Sequence, residues 1–264
     1  METGLKNKVA LVTGAAGGIG SAIAREFAGE GARVVVHYRS SEDRARAVAD
    51  ETGGIPIAAD LTVEREVSAL FDQAVARLGT VDILIANAGR WPSVDEPVWS
   101  MSYGRWKDSI TTNLDSVFLC CRAFLRHVQR TGSGNITIVS STAGLLGEAG
   151  HSDYAAAKGA LASGFLRSLK NEITRIAPHG RVNVVCPGWI ATDMTRDRLA
   201  DESFVRRITR TMAMDKLGRA EEVARVVVTL SSDAISGHVS GEAVTVAGGM
   251  EGRVLRELER RPQD

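Results

Sequence analysis

The chain has 264 residues and balances 32 Lys and Arg against 32 Asp and Glu, so its formal net charge at pH 7 is zero. That balance argues against the basic surface of a nucleic-acid or anionic-membrane binder, while 44% hydrophobic and 24% charged residues argue against global disorder. The length suits one domain over residues 1–264, for which mass scaling leaves roughly 11,000 Å² of about 41,000 Å² exposed on folding.

Residues 9–12 open the pattern as a short apolar run, followed by a helical pattern over 19–28. Strand-like runs at 34–36 and 55–58 alternate with helical ones at 42–51 and 63–78, with Thr62 as the expected N-cap of the latter. A strand at 83–86, a long helix over 103–128, a strand at 136–139 and a second long helix over 154–176 come next. Strands at 182–185 and 244–246 enclose a helix over 220–230, which opens with Glu221 and Glu222 at its positive end. The strands are apolar on both faces, which fits a parallel sheet covered by helices on each side. Strand–helix alternation then requires right-handed crossovers, and the expected fold is an α/β doubly wound sheet.

Two segments interrupt this rhythm. Residues 90–101 carry Trp91, Pro92, Pro97 and Trp99, which is loop chemistry, and residues 191–217 lie between a strand and the last helix. In such sheets ligands bind beyond the carboxyl ends of strands, so 191–217 is read as a substrate-binding insertion; an ordinary surface loop satisfies the same pattern.

Cys120, Cys121 and Cys186 are too few for a disulfide framework, and the adjacent pair lies in an apolar stretch as small core residues. The opening residues hold no apolar leader and no run approaches a membrane span, so a cytoplasmic location without membrane contact is expected. No two of the five histidines are spaced as metal ligands, and no metal is expected.

The run Thr13-Gly14-Ala15-Ala16-Gly17-Gly18-Ile19-Gly20 joins the first strand to the first helix. Gly14 permits a tight turn, Gly18 lets backbone approach a pyrophosphate, and Gly20 allows close packing of helix on strand. The free N–H groups and positive end of the helix then face the anion.

With Asn87-Ala88-Gly89, Ser141, Tyr154-x-x-x-Lys158 and Pro187-Gly188 following in that order, the chain resembles the short-chain dehydrogenase/reductase superfamily from about Lys8 to Met250. The likeness is best to 3-oxoacyl-acyl-carrier-protein reductases and related carbonyl reductases. It implies a single-domain Rossmann-type fold, a homotetramer, and hydride exchange between a nicotinamide cofactor and a carbonyl or secondary alcohol, 3-oxoacyl thioesters being one such substrate. It also places Asp60 and Leu61 around the adenine, Asn87, Ala88 and Gly89 beside the cofactor, and Ile190 and Thr192 at the carboxamide. Asn113, Ser141, Tyr154 and Lys158 become the catalytic quartet: Ser141 orients the carbonyl, Tyr154 exchanges the proton, and Asn113 holds a water for the Lys158 relay. Tyr154 and Lys158 also contact the cofactor.

Cofactor choice is expected at the end of the second strand, where an acid holds a ribose hydroxyl and a base accommodates the NADP phosphate. Tyr38 stands at the acid's position, followed by Arg39, Ser40 and Ser41, which points to NADP(H), with NAD(H) as the alternative. Tyr154 and Lys158, four apart, share a helix face. An ammonium about 4 Å from the phenol, at an effective dielectric near 20, is worth about 4 kcal/mol and would draw a tyrosine pKa from about 10 toward 7.

Trp91, Leu145, Glu148, Trp189, Met194 and the stretch 195–214 are candidate pocket walls, equally suited to core packing. His151, close to Tyr154, is a candidate substrate contact. The tail 251–264 is rich in Arg and Glu; Val254, Leu255 and Leu258 form an apolar helical stripe suited to a neighbouring subunit or a frayed end. Two other readings are an NAD-dependent alcohol dehydrogenase of the same fold and a cofactor-sensing protein without turnover. The retained Tyr154 and Lys158 argue for turnover.

Overall fold

In a computed structural model, which describes residues 2–254, the seven apolar runs become β1 (Val9–Val12), β2 (Arg33–Tyr38), β3 (Ile55–Ala58), β4 (Ile83–Ala86), β5 (Asn135–Val139), β6 (Arg181–Pro187) and β7 (Ala243–Val246). All pair in parallel in one sheet of order β3-β2-β1-β4-β5-β6-β7. Strand order reverses at β1, whose Val12 lies beside Val36 of β2 on one side and Ile85 of β4 on the other. A crevice opens beyond the carboxyl ends at such a reversal.

Helices α1 (Gly18–Gly29), α2 (Glu42–Thr52) and α3 (Glu64–Leu78) connect the first four strands. The apolar character of both strand faces follows from two separate cores. Val9 and Leu11 join Leu70, Phe71 and Phe124 on one face, whereas Ala10 and Val12 join Ile23, Phe27 and Val227 on the other. Phe27 and Phe124 are fully buried, each contributing roughly 2–3 kcal/mol of transfer free energy.

The first long helical stretch is divided into α4 (Tyr103–Ile110), a π-helical turn (Thr111–Asp115) and α5 (Ser116–Thr131). Beyond β5 lie α6 (Ala143–Leu146), α7 (Ser152–Ala160), a second π-helical turn (Leu161–Phe165) and α8 (Leu166–Ile173). One extra residue in a turn rotates the rest of the helix by about 100°, a shift that apolar periodicity does not reveal. The first π turn carries the buried Asn113, while α5 still directs Val117, Cys120, Cys121 and Phe124 into the core.

Residues 191–217 cross beyond the carboxyl edge and contain α9 (Arg196–Leu199) and α10 (Glu202–Thr209), the latter capped by the Asp201 carboxylate. Helices α11 (Ala220–Ser231) and α12 (Asp233–Ser236) then lead to β7. Thr62 does not cap α3: Val63 precedes that helix, and the Thr62 N–H and hydroxyl both donate to the Asp60 carboxylate, at 2.9 and 2.7 Å. Asp60 captures Thr62 in a local turn, a competition open to any Asx residue near a helix start. Val254 is exposed, and the remainder of the expected tail stripe, with Leu255 and Leu258, lies outside the described residues. Among the described residues, no helix is long and apolar enough to cross a membrane.

Candidate active site and dinucleotide cleft

The site is built outward from Thr13, the first residue past β1. Its hydroxyl donates to the Ile85 carbonyl (3.2 Å) and accepts the N–H groups of Asn87 and Ala88, both at 2.9 Å. The Asn87 amide donates to the Thr13 carbonyl at 2.9 Å, so the ends of β1 and β4 are laced together. Gly14 then turns with φ of 66°, a left-handed conformation that favours glycine. A Cβ on Gly20 would fall 2.2 Å from the Gly14 carbonyl oxygen, and one on Gly18 would fall 2.7 Å from the Thr192 side chain. These positions form a cradle that side chains would fill. Gly17, the N-cap of α1, offers no side-chain cap, which leaves the first N–H groups of the helix for an anion.

His37, which sequence reasoning passed over, steadies this loop. Its Nδ1 accepts the Gly14 N–H at 2.9 Å, and its Nε2 lies 3.0 Å from the Ala59 carbonyl. A carbonyl requires a donor, so the imidazole is the neutral Nε2–H tautomer. Burial lowers its pKa to about 4, against the pull of the Ala59 carbonyl and the Asp60 charge.

A cavity of about 570 Å³ runs along the carboxyl edge. At one end it is bounded by Arg39, Ser40, Asp60 and Leu61; in the middle by Gly14, Gly18, Ile19 and Gly20 and by Asn87, Ala88 and Gly89. At the other end stand Ser141, Tyr154 and Lys158, with Pro187, Gly188, Ile190 and Thr192 closing the far wall. Of the expected site residues, Asn113 alone stands behind the wall rather than on it. Its Oδ1 accepts the Arg90 N–H at 2.8 Å and its Nδ2 donates to the Arg90 and Ser109 carbonyls, both at 3.0 Å. A Cβ on Gly89 would come within 2.9 Å of Asn113 Oδ1 and 3.2 Å of Lys158 Nζ, so that glycine admits both groups.

Ser141 stands beside Tyr154 on the cavity wall, its hydroxyl accepting the Ala143 N–H at 3.1 Å. Ser140 faces elsewhere, donating to the Lys158 carbonyl at 2.7 Å. The Lys158 ammonium donates to the Val139 carbonyl at 2.9 Å and stands 5.8 Å from the centre of the Tyr154 ring. The expected lowering of the phenol pKa by Lys158 is not found. Burial raises it well above the usual value; the neighbouring Ser141 hydroxyl opposes this, and the charge of Glu148 adds to it. Burial also pulls Lys158 down to about 8. Burial thus moves both groups toward their uncharged forms, which for the phenol is the protonated one.

Beyond Tyr154, Trp91 stacks on His151 with ring centres 4.7 Å apart and meets the Trp189 ring edge-on at 5.7 Å. Phe204 of α10, within the expected stretch 195–214, is buried and backs this wall, its ring centre 5.0 Å from that of Trp189. Trp91 Nε1 donates to Glu148 at 3.1 Å, and burial raises that carboxyl's pKa. His151 is a buried support rather than a cavity group, its Nε2 donating to the Pro92 carbonyl at 2.8 Å. Leu145 is exposed and it is Leu146 that lines the cavity, together with Met194. Arg198 of α9 lies over the Trp91 and Phe204 rings and pairs with Asp95, fastening 191–217 across this end. At the opposite end Arg44 pairs with Asp193 at 2.9 Å. Among the described residues no cluster of three His, Cys, Asp or Glu side chains could hold a metal ion.

A family model described as enoyl-(acyl carrier protein) reductase matches residues 14–251. The chain is 39% identical over 248 residues to the 3-oxoacyl-acyl-carrier-protein reductase FabG of Escherichia coli (strain K12), spanning 93% of this chain and 98% of that protein. It is 38% identical over 256 residues to the cis-4-hydroxycyclohexanecarboxylate dehydrogenase of Sinomonas cyclohexanicum, spanning 94% and 98%. FabG of Staphylococcus aureus (strain Mu50) is 35% identical over 249 residues, spanning 92% and 98%.

The cradle makes one direct demand. Gly20→Ala must push the Gly14 carbonyl aside, and weaker binding of a dinucleotide by at least about tenfold is expected, equal to about 1.4 kcal/mol. Fluorescence titration alongside a thermal melt checks this; unchanged affinity in a folded variant contradicts the role given to the loop.

Proposed function

The chain belongs to the short-chain dehydrogenase/reductase family and is an oxidoreductase acting on CH–OH groups, and we propose that Tyr154 and Ser141 run this chemistry with NADP(H) as the preferred cofactor. The observation that carries the reading is that Ser141, Tyr154 and Lys158 line the same cavity as the glycine cradle. When bound, the nicotinamide supplies or accepts the hydride at the substrate carbon.

In the direction of reduction, the Ser141 hydroxyl donates a hydrogen bond to the carbonyl oxygen and fixes its orientation. Tyr154, held protonated by burial, gives its proton to that oxygen as charge develops, so hydride and proton together convert C=O to CH–OH. Lys158, with a pKa near 8, is suited to return a proton, and Asn113 retains a carbonyl lone pair for a water on that route.

Preference for NADP(H) is supported by Arg39, which is exposed on the cavity wall and makes no ion pair or hydrogen bond among the described residues. Glu42, the nearest following carboxylate, is held by Arg46 at 2.6 Å. A phosphate beside Arg39 would also meet Ser40, Ser41 and Arg44 on the same wall. Residues 191–217 supply Thr192, Met194, Thr195 and Thr211 to the cavity wall, which supports their reading as a substrate-binding insertion. Exposed Trp106 and Phe118 on α4 and α5 are consistent with a homotetramer formed through the long helices, and cytoplasmic residence completes the proposal.

3-Oxoacyl thioesters are the first substrate class to test, since two of the relatives are named for 3-oxoacyl reduction. Trp91 and Trp189 on the cavity wall favour a second reading, a compact ring ketone seated against aromatic rings.

Tyr154→Phe is expected to lower kcat by about 10²–10⁴-fold while retaining cofactor binding; near-normal turnover would overturn the proton-donor assignment. Arg39→Ala is expected to weaken NADPH binding by about 10–100-fold, the worth of a charge-assisted hydrogen bond, and to leave NADH binding unaltered. A wild-type preference for NADH in initial rates contradicts the cofactor assignment. Glu148 places negative charge in the substrate pocket, so neutral ring ketones are expected to react better than those bearing a carboxylate. In kcat/KM measurements Glu148→Gln should narrow that ratio by about tenfold, and an unchanged ratio removes Glu148 from substrate selection.

A further inference from the structure

We propose that His37 is a positioning residue for dinucleotide binding, holding the phosphate loop in its receptive shape through a neutral Nε2–H imidazole. The loop is gripped from two sides. Thr13 and Asn87 fasten its base to β4, and His37 ties its first turn to β2 and β3 through Gly14 and Ala59. A backbone bond from the Ala15 N–H to the His37 carbonyl, at 2.9 Å, fixes the neighbouring peptide to the same residue. With φ of 66°, Gly14 directs its N–H back into the sheet edge, where the Nδ1 lone pair receives it. The N–H groups at the start of α1 are thereby left facing the cleft.

Only one of the three ring states satisfies both partners. In the Nδ1–H tautomer an N–H would oppose the Gly14 N–H and a lone pair would oppose the Ala59 carbonyl. In the imidazolium the Ala59 bond survives, but two N–H groups collide at Gly14. With the ring 2% exposed, water is poorly placed to relieve that conflict. The charged groups around it are Asp60 at the end of β3, whose N–H donates to Glu66 at 2.7 Å, and Arg39, the residue after β2, which acts electrostatically on Asp60. Asp60 favours a charged ring and burial opposes it more strongly, leaving His37 neutral with a pKa of about 4.

Because the folded pKa lies below the unfolded 6.5, the unfolded chain binds more protons between these values. The stability contributed by neutral His37 is fully present above about pH 6.5 and is lost as pH falls toward 4. Asparagine can imitate the Nδ1 side of the neutral ring, its carbonyl oxygen accepting the Gly14 N–H, whereas leucine cannot.

The inference rests on the dinucleotide reading of the cleft, and the experiment separates the two. NADPH and NADH dissociation constants are measured on the full chain for wild type, His37→Leu and His37→Asn at pH 7.5, with far-UV spectra to verify folding. Leucine is expected to weaken both cofactors by at least about tenfold with an unchanged NADPH/NADH ratio, because the loop serves the pyrophosphate that both share. Asparagine is expected to restore both to within about threefold of wild type. Urea midpoints between pH 6.5 and 4.5 should fall more steeply for wild type than for His37→Asn, and ¹⁵N spectra should show the neutral Nε2–H ring at pH 6. A folded leucine variant with wild-type affinities, an asparagine variant no better than leucine, or an Nδ1–H ring each overturns the proposal. If leucine fails to fold, the asparagine affinities and the tautomer decide it. Wild type that binds neither cofactor overturns the dinucleotide reading as well.

Discussion

A single hydroxyl, that of Thr13, sits where the sheet changes direction, and most of the site hangs from it. Reversal of strand order opens a crevice between β1 and β4, and the strand ends on its two sides are joined across it. The Thr13 hydroxyl binds three backbone groups there, donating to the Ile85 carbonyl and receiving the Asn87 and Ala88 N–H groups. Gly14 can then turn away from the sheet on one side while Ala88 and Gly89 continue toward the substrate on the other. The glycine cradle, the Asn113 and Lys158 contacts on Gly89, and the His37 tie all take their positions from that junction.

In the proposed mechanism the reacting end relies on exclusion of water more than on pairing of charges. Burial moves the Tyr154 phenol and the Lys158 ammonium in opposite directions on the pKa scale, each toward its uncharged form. The phenol retains its proton at rest, and the ammonium is anchored to a backbone carbonyl instead of being spent on stabilising a phenolate. A donor of this kind is strongest when negative charge arrives on a neighbouring oxygen, since the surroundings offer that charge few other partners.

The sheet and its order of elements were legible because a two-faced parallel sheet requires residues such as Val9 and Ala10 to be apolar on both sides, and period alone exposes that. The glycine cradle was legible for a related reason: steric demands at Gly14, Gly18 and Gly20 leave few substitutes. What escaped depends on alternatives of nearly equal local energy. Thr62 was equally suited to cap α3 or to bond Asp60, and only the folded turn decides between them. The π turn at Asn113 changes phase without changing composition. The phenol's pKa required knowledge of depth, which a four-residue spacing does not carry. His37 lay one residue past the expected strand 34–36 with no motif around it, and its importance arises from Gly14, 23 residues away in sequence.

The near-contact between Gly18 and Thr192 has a mechanical meaning. The first turn of α1 and the beginning of the 191–217 segment are close enough that neither can shift without pressing on the other, and Arg44 reaches across to Asp193 just beyond. At its far end the same segment is fastened over the aromatic wall through Arg198. One segment thus lies against the glycine cradle at its start and is fastened over the aromatic wall farther along, so a single stretch of chain borders both halves of the cleft.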